Sequence, residues 1–362
     1  MTKILALYLP QFHETPENNK WWGKGFTEWT NTKKALPLFN NHYQPRIPLN
    51  KNYYDLVAPD VMQKHAAMAK AYGIHGFCFY HYWFNGKKML HKPVEDLLNR
   101  AEIDIPYCLS WANDSWNRAW DGEEKEILMQ QEYGDEANWQ NHLNYLMPFF
   151  NDKRYIAIDN KPVFFIYRTI GFARMNELIK YWDIKLKAAG FNGIHVVETL
   201  NSFQLEPFCK DSCGVYTFEP MLTLRKKINL ANKIKGQLRN RLNLNILFKD
   251  KYDRVWNEVL ENAKNIEFKG KQMYRGAFVD WDNTPRKGKR GLVINGASPE
   301  RFGKYCNALM KISSASNANF LIINAWNEWA EGCYLEPDEK FKYGYLDEIK
   351  KIAFGVSKQN SL

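Results

Sequence analysis

Several absences narrow the reading of this chain before any motif is considered. No run approaches the ~18 apolar residues that a membrane-spanning helix needs, and the mean hydropathy is −0.54. The opening segment, MTKILALYLPQFHETPEN, starts as a strand-like apolar stretch and quickly turns polar. It is too short for the core of a secretory signal, and no small-residue cleavage site follows, so a cytoplasmic address is expected. The six cysteines, at 78, 108, 209, 213, 306 and 333, lack the paired CxxC spacing of a zinc site. They read as reduced core thiols, and neither a metal nor another cofactor is expected. A Gly-rich phosphate loop after the first apolar run is also missing, which argues against a doubly wound nucleotide-binding sheet.

What the chain does have is tryptophan and an uneven charge. Aromatic residues make up 15% of its 362 residues, with 13 Trp gathered largely in the stretches 21–29, 81–83, 111–120 and 326–329. An indole offers a flat apolar face to sugar C–H groups and one N–H donor, although a Trp-rich core is the plainer reading for any single ring. The net charge is +10. Between Met221 and Arg254 ten Lys or Arg stand against Asp250 and Asp253 alone. Leu230, Ile234, Leu238, Leu242 and Ile246 recur there at helical spacing, so the segment reads as a basic amphipathic helix or pair of helices. A solvated face is the simplest account. A peripheral contact with the inner membrane face, or a cradle for an anionic, phosphate-bearing substrate, are the functional ones.

Apolar β-rich runs recur at Ile4–Leu9, His75–Tyr82, Pro106–Trp111, Val163–Tyr167, Ile194–Glu198, Gly214–Glu219, Gly276–Trp281 and Phe320–Trp326. Near-continuous apolarity is the mark of parallel strands covered on both faces. Helical patterns at Val61–Tyr72, Val94–Ala101, Asn138–Phe150, Met175–Ala189, Tyr252–Asn265 and Pro299–Ser313 lie between them. Eight strands alternating with helices predict an α/β fold of the (β/α)8 TIM-barrel type with enlarged βα loops. The barrel is expected over residues 1–355, with the basic helical insertion at about 221–254 and a tail at 356–362.

Each apolar run ends in polar or aromatic residues, and in a barrel those ends meet on the face where active sites are built. Glu328 and Glu331 are the sharpest candidates. They follow the eighth run and are three residues apart, which on a helical turn puts both carboxylates on one side. Two carboxylates flanking a glycosidic bond are the minimal machinery of its cleavage, and burial beneath Trp326 and Trp329 should separate their pKa values. Asn113 and Asp114 beside Trp111 suit hydroxyl recognition, with turn formation at a strand exit as the alternative. His13, Glu28, His81, Tyr167, Glu219 and Asn327 are further polar candidates, and Trp83, Trp111, Trp281, Trp326 and Trp329 are candidate stacking platforms. Asp280-Trp281-Asp282 also admits a DxD reading, in which an ion bridges the phosphates of a sugar donor; it is weak because such triplets are common.

The segments YLPQFHETPENNKWWGKGFTEWTN (8–31), FCFYHYWFNGKKML (77–90), CLSWANDSWNRAWDG (108–122), VDWDNTPRK (279–287) and INAWNEWAEGCYLEPD (323–338) resemble WbsX-type proteins. These are similar to glycoside hydrolase family 99 and are often encoded among bacterial surface-polysaccharide genes. The resemblance spans residue 3 to about 350. It implies a (β/α)8 barrel and a retaining mechanism, with Asn327-Glu328-Trp329-Ala330-Glu331 matching a motif that resembles NEWxE. By that likeness Glu328 is the base that deprotonates the substrate 2-hydroxyl, and Glu331 is the general acid. Ala330 stands where family 99 commonly has histidine.

Two enzymatic readings therefore stand side by side. One is a hydrolase of a polysaccharide or glycan; the other is a glycosyltransferase of cytoplasmic O-antigen or capsule assembly, for which an anionic lipid-diphosphate-linked glycan would be the partner. An inactive sugar-binding barrel is disfavoured by the two intact glutamates. Nucleic-acid binding is a poor fourth reading, since the basic residues are confined to one segment and lack interleaved aromatics.

Overall fold

A computed structural model describes residues 2–118, 123–227, 230–242 and 244–355. Eight parallel strands form its centre: β1 (Lys3–Tyr8), β2 (Gly76–Phe84), β3 (Tyr107–Trp111), β4 (Lys161–Ile166), β5 (His195–Leu200), β6 (Gly214–Thr217), β7 (Gln272–Phe278) and β8 (Phe320–Asn324). Neighbours follow chain order, and β1 pairs with both β2 and β8. Leu5 sits opposite Gly76 on one side and Ile322 on the other, so the sheet closes on itself. Two short antiparallel additions, Lys87–Met89 on β2 and Ala157–Ile158 on β4, extend it locally.

Around the barrel lie α1 (Val61–Ala71), α2 (Lys92–Asn99), α3 (Glu136–Phe150), α4 (Met175–Ala188), α5 (Met221–Lys226), α6 (Leu230–Leu242), α7 (Tyr252–Asn265), α8 (Pro299–Ala315) and α9 (Gly344–Phe354). Local chemistry sets their starts. Asp135 accepts hydrogen bonds from the backbone N–H groups of Ala137 and Asn138 at the head of α3, and Ser298 does the same for Arg301 at α8, with Pro299 next in the chain. Among the described residues no helix is long and apolar enough to cross a membrane.

Three departures from the sequence pattern have physical causes. β7 starts at Gln272, earlier than the apolar run at Gly276, because its first turn of strand carries Gln272 and Arg275. No helix joins β5 to β6. The connection at 201–213 is instead wrapped around Glu198, whose buried carboxylate accepts hydrogen bonds from the N–H groups of Phe208 and Cys209 and from the hydroxyls of Thr169 and Ser212. The basic segment at 221–254 is not helical throughout. Phe248–Lys251 forms a strand paired in parallel with Leu292–Asn295. The tail at 356–362 lies outside the described residues.

The tightest seam of the barrel is at β6–β7. An added Cβ at Gly276 would lie 2.0 Å from the Thr217 carbonyl oxygen, and the Gly276 N–H donates to the Thr217 hydroxyl at 2.9 Å. Gly276→Ala should therefore destabilise the chain by about 1–3 kcal/mol, the usual cost of overpacking. Urea unfolding would measure it, and wild-type stability would mean that β6 and β7 are not so closely apposed.

Candidate active site

The chain leaves β8 at Asn324 and is at once tied to the end of β1. The Asn327 carboxamide accepts from the Leu9 N–H at 2.7 Å and donates to the Leu9 carbonyl at 3.0 Å. Asn327–Glu328 then pairs with Cys333–Tyr334, and a tight turn, Trp329–Glu331, fills the gap. Gly332 closes that turn at φ +65°, where a Cβ would lie 3.1 Å from Arg46 and Asp282, so only glycine fits well. The turn therefore presents Glu328 and Glu331 together at the C-terminal mouth of the barrel.

Both carboxylates meet one guanidinium. Arg286, in the short helical turn Thr284–Lys287 after β7, donates from Nη2 to Glu328 at 2.9 Å and from Nη1 to Glu331 at 2.5 Å. Its Nε donates to Glu28 at 2.8 Å, and Glu28, at the start of the helix Glu28–Lys34 in the β1 loop, is fully buried. Burial alone would weaken the positive charge of Arg286, but Glu28, Glu331 and Glu328 hold its pKa well above the usual value. The glutamates feel the opposite balance. Burial pushes Glu328 up, Arg286 pulls it down, and the repulsion of Glu331 and Glu28 pushes it up again, with a net rise. Glu331 is also raised, by burial first and then by Glu28, against the pull of Arg286. One cation facing three carboxyls in a dry site favours retention of a proton in the cluster, which is what acid–base chemistry at a glycosidic bond requires.

A cavity of about 350 Å³ opens beside this cluster, lined by Glu328 and Arg286 together with Gln11, Asn18, Tyr82 and Asp114. Trp22, Trp116 and Phe203 join Tyr82 in its aromatic wall. Asn18 is buried, and among the described residues neither its Oδ1 nor its Nδ2 has a hydrogen-bond partner. Bordering the cavity, it offers one acceptor and one donor site to a sugar hydroxyl. Tyr167 lies within electrostatic reach of Asp114, Glu331 and Glu328. Asp114 is steadied by Arg168, whose Nη1 donates to it at 2.8 Å.

Other sequence candidates are placed elsewhere. Trp83, Trp111, Trp281, Trp326 and Trp329 are all buried and belong to the hydrophobic core rather than to the cavity wall. Strand alternation is the reason on β2, where Tyr82 points to the mouth and His81 and Trp83 point to the helices. Trp83 stacks on His142 of α3 at 4.6 Å, Trp111 meets the same ring edge-on, and His81 Nε2 lies 2.8 Å from His142 Nε2. Burial holds His81 neutral down to about 3. His13 is buried near Asp55 and does not line the cavity; burial lowers its pKa to about 4. Asn113 braces the β3 exit by donating to the Arg168 carbonyl and accepting from its N–H. Glu219, raised to about 7 by burial, accepts from the Thr223 N–H and hydroxyl and so organises the start of α5. The DxD carboxylates are taken up inside the protein. Asp280 pairs with Arg46 at 2.8 Å, while Asp282 accepts from Gln44 and Thr284 and contacts His42. They tie the β1 loop to the β7 loop.

Beneath the Trp329–Glu331 turn, Glu336 accepts from the Trp329 indole N–H at 2.5 Å and from the Tyr54 hydroxyl at 2.9 Å. It also lies 3.1 Å from His65, which burial holds neutral down to about 3, and burial raises Glu336 itself to about 8. Burial disfavours the charged form of both partners. These residues line a cavity of about 720 Å³ whose lining includes neither Arg286 nor its three glutamates. Because the native carboxyl keeps its proton to about 8 whereas an unfolded glutamate loses it in the ordinary range, the native state binds more protons in that window. Its contribution to stability is full at low pH and disappears as pH rises through about 8. Glu336→Gln should flatten that decline in urea titrations, and equal slopes would show an ordinary carboxylate.

Arg286, Asn18, Trp22 and Trp116 were not singled out by sequence reasoning, although all four lie within the segments that carry the resemblance. Arg286 belongs to a turn too short for a periodic signal. Removing it would leave the buried Glu28 and Glu328 and the half-buried Glu331 without their paired cation, a class of change that costs about 3–5 kcal/mol. Arg286→Gln should show such a loss near neutrality and a smaller one at low pH, where the glutamates are protonated. A loss independent of pH would indicate that the ion pairs do not govern the site.

Comparison with known proteins agrees with this architecture. A family described as Glycosyltransferase WbsX matches residues 4–349. The protein WxcX of Xanthomonas campestris pv. campestris (strain B100) is 32% identical over 351 residues, covering 96% of this chain and 49% of that protein. The chain thus spans about half the length of the curated relatives it matches. Among solved structures, a glycoside hydrolase-like protein superposes with a TM-score of 0.63 at 14% identity, over 98% of this chain and 94% of that one. An endo-alpha-mannosidase of family GH99 from Bacteroides thetaiotaomicron superposes with a TM-score of 0.54 at 16% identity, over 98% and 96%. At such identities the two structures speak for the shared (β/α)8 fold, while the sequence match over nearly the whole length places this chain in the WbsX glycosyltransferase family.

Proposed function

We propose that this chain acts on a glycosidic bond held in the cavity beside Glu328, with net retention at the anomeric carbon. The observation that carries the reading is the convergence of Glu328 and Glu331, from one turn, on a single guanidinium at the barrel mouth. Glu331, the more exposed of the two, would hand a proton to the leaving oxygen. Glu328 would take the proton of the substrate 2-hydroxyl, whose oxygen displaces the leaving group and closes a 1,2-anhydro ring with inversion. Water deprotonated by Glu331 would then open that ring with a second inversion, while Glu328 returns its proton to the 2-oxygen. A 2-hydroxyl donating to Glu328 favours its charged form, which works against the burial that raises its pKa.

A second reading shares every step but the last. If a sugar hydroxyl rather than water opens the anhydro ring, the same site transfers a glycosyl group, as the family description suggests. Assembly of a surface glycan at the inner membrane face would suit it. The amphipathic α6, with Ile234 48% and Leu242 57% exposed among basic residues, is a fitting contact for that surface.

The GH99 neighbour is titled an endo-alpha-mannosidase, so α-mannosides are the first substrates to try. Glu331→Gln should lower turnover of glycosides with poor leaving groups ~10²–10⁴-fold and affect a glycosyl fluoride far less. Glu328→Gln should abolish both. Ready turnover of a 2-deoxy glycoside would refute the anhydro route. Transfer activity surviving in Glu328→Gln would remove the glutamate pair from the chemistry.

A further inference from the structure

A second cavity, of about 690 Å³, shares Arg286 with the proposed sugar cleft. Its charged lining is Lys34, Arg286, Lys287, Lys289 and Arg290, and no Asp or Glu lines it. Among the described residues no carboxylate forms an ion pair with Lys34, Lys287 or Lys289. The cavity lies within the ~300–1,000 Å³ range of small-molecule sites. A concave wall of one sign concentrates its field on whatever occupies it.

The basic insertion forms part of the same neighbourhood. Arg239 of α6 donates to the Arg290 carbonyl at 3.2 Å, the Phe248 N–H donates to the Gly291 carbonyl at 3.0 Å, and Asn245 lines the cavity directly. Leu36 stands 71% exposed among its lining residues. Arg286 is engaged by its three glutamates, but the three lysines alone exceed what a single sugar carboxylate would neutralise. A diphosphate carries two or more charges and several acceptor oxygens, which lysines meet as point charges and arginines as planar forks.

We propose that this cavity binds the diphosphate of a sugar-diphosphate substrate, carried by either a nucleoside or a polyprenyl lipid, with the sugar extending past Arg286 toward Glu328 and Glu331. The direction of the sugar rests on the function proposed above; the diphosphate site does not.

Titration calorimetry of the full chain with inorganic diphosphate tests it. Wild type should bind, and Lys34→Ala combined with Lys289→Ala should weaken binding about tenfold or more, as loss of two charge-assisted contacts would. Lys153→Ala combined with Lys180→Ala removes the same net charge from exposed positions elsewhere and should leave binding within about twofold, because screened distant charges contribute little. Uridine diphosphate and farnesyl diphosphate separate the two carriers, the tighter of them naming the source. No binding by wild type, an unaffected Lys34/Lys289 variant, or equal weakening in the control pair would overturn the proposal. Because the readout is binding, it is distinct from failure of the glutamate chemistry. Glu331→Gln should keep the diphosphate affinity while losing turnover, and a chain that binds diphosphate but cleaves or transfers no glycoside would sink the cleft reading alone.

Discussion

Three carboxyls from two separate loops converge on the guanidinium of Arg286, which itself comes from a third. Glu28 belongs to the β1 loop, Arg286 to the β7 loop, and Glu328 and Glu331 to the turn after β8. Arg286 is the one cation paired directly with all three, and Lys287 acts on Glu331 from farther off; burial still raises Glu328 and Glu331, so the cluster favours keeping a proton, and the loops must be held together against the remaining repulsion. The second set of contacts, Arg46 with Asp280 and His42 and Gln44 with Asp282, spans the β1 and β7 loops again. The aspartates that could have suggested a metal-binding triplet thus act as the structural tie that lets the glutamates stand together.

The layer below fixes the position of the Trp329–Glu331 turn. Trp329 lies between Glu328 and Glu331 in sequence, yet its ring is packed away from the cavity, stacked on Tyr334 at 3.8 Å and held by Glu336. Tyr54 from the β1 loop donates to the same carboxyl and His65 of α1 lies against it, so a displacement of the ring would disturb the buried contacts of Glu336. Indole burial here serves positioning: the rotation of the turn, and with it the aim of both carboxyls, is set from underneath.

Most of the barrel was legible because covered parallel strands read as continuous apolar runs, and Tyr252–Asn265 was delimited correctly by its period alone. The pattern was less informative where tertiary contacts replace periodicity. The β5–β6 connection looks like a place for a helix but is organised by one carboxylate, Glu198, reaching across the loop. Glu328, Glu331 and Glu28 stood out by residue type and setting. Arg286 did not, because its role depends on three residues remote in sequence. The tryptophans misled for a related reason. Composition signals a ring-binding surface, but which rings face the mouth depends on strand phase and loop path, and these bring Trp22 and Trp116 to the cavity while burying Trp83 and Trp111.

The central claim is that the pair of glutamates clamped by Arg286 addresses the glycosidic bond itself. The most direct measurement is a crystal structure of the Glu331→Gln chain soaked with an uncleaved α-manno-oligosaccharide. The account predicts a sugar ring in the 350 Å³ cavity, its 2-hydroxyl within hydrogen-bond reach of Glu328 and its glycosidic oxygen beside position 331. A saccharide seated instead in the cavity walled by His65 and Glu336, or bound with Glu328 facing the anomeric carbon directly, would contradict it.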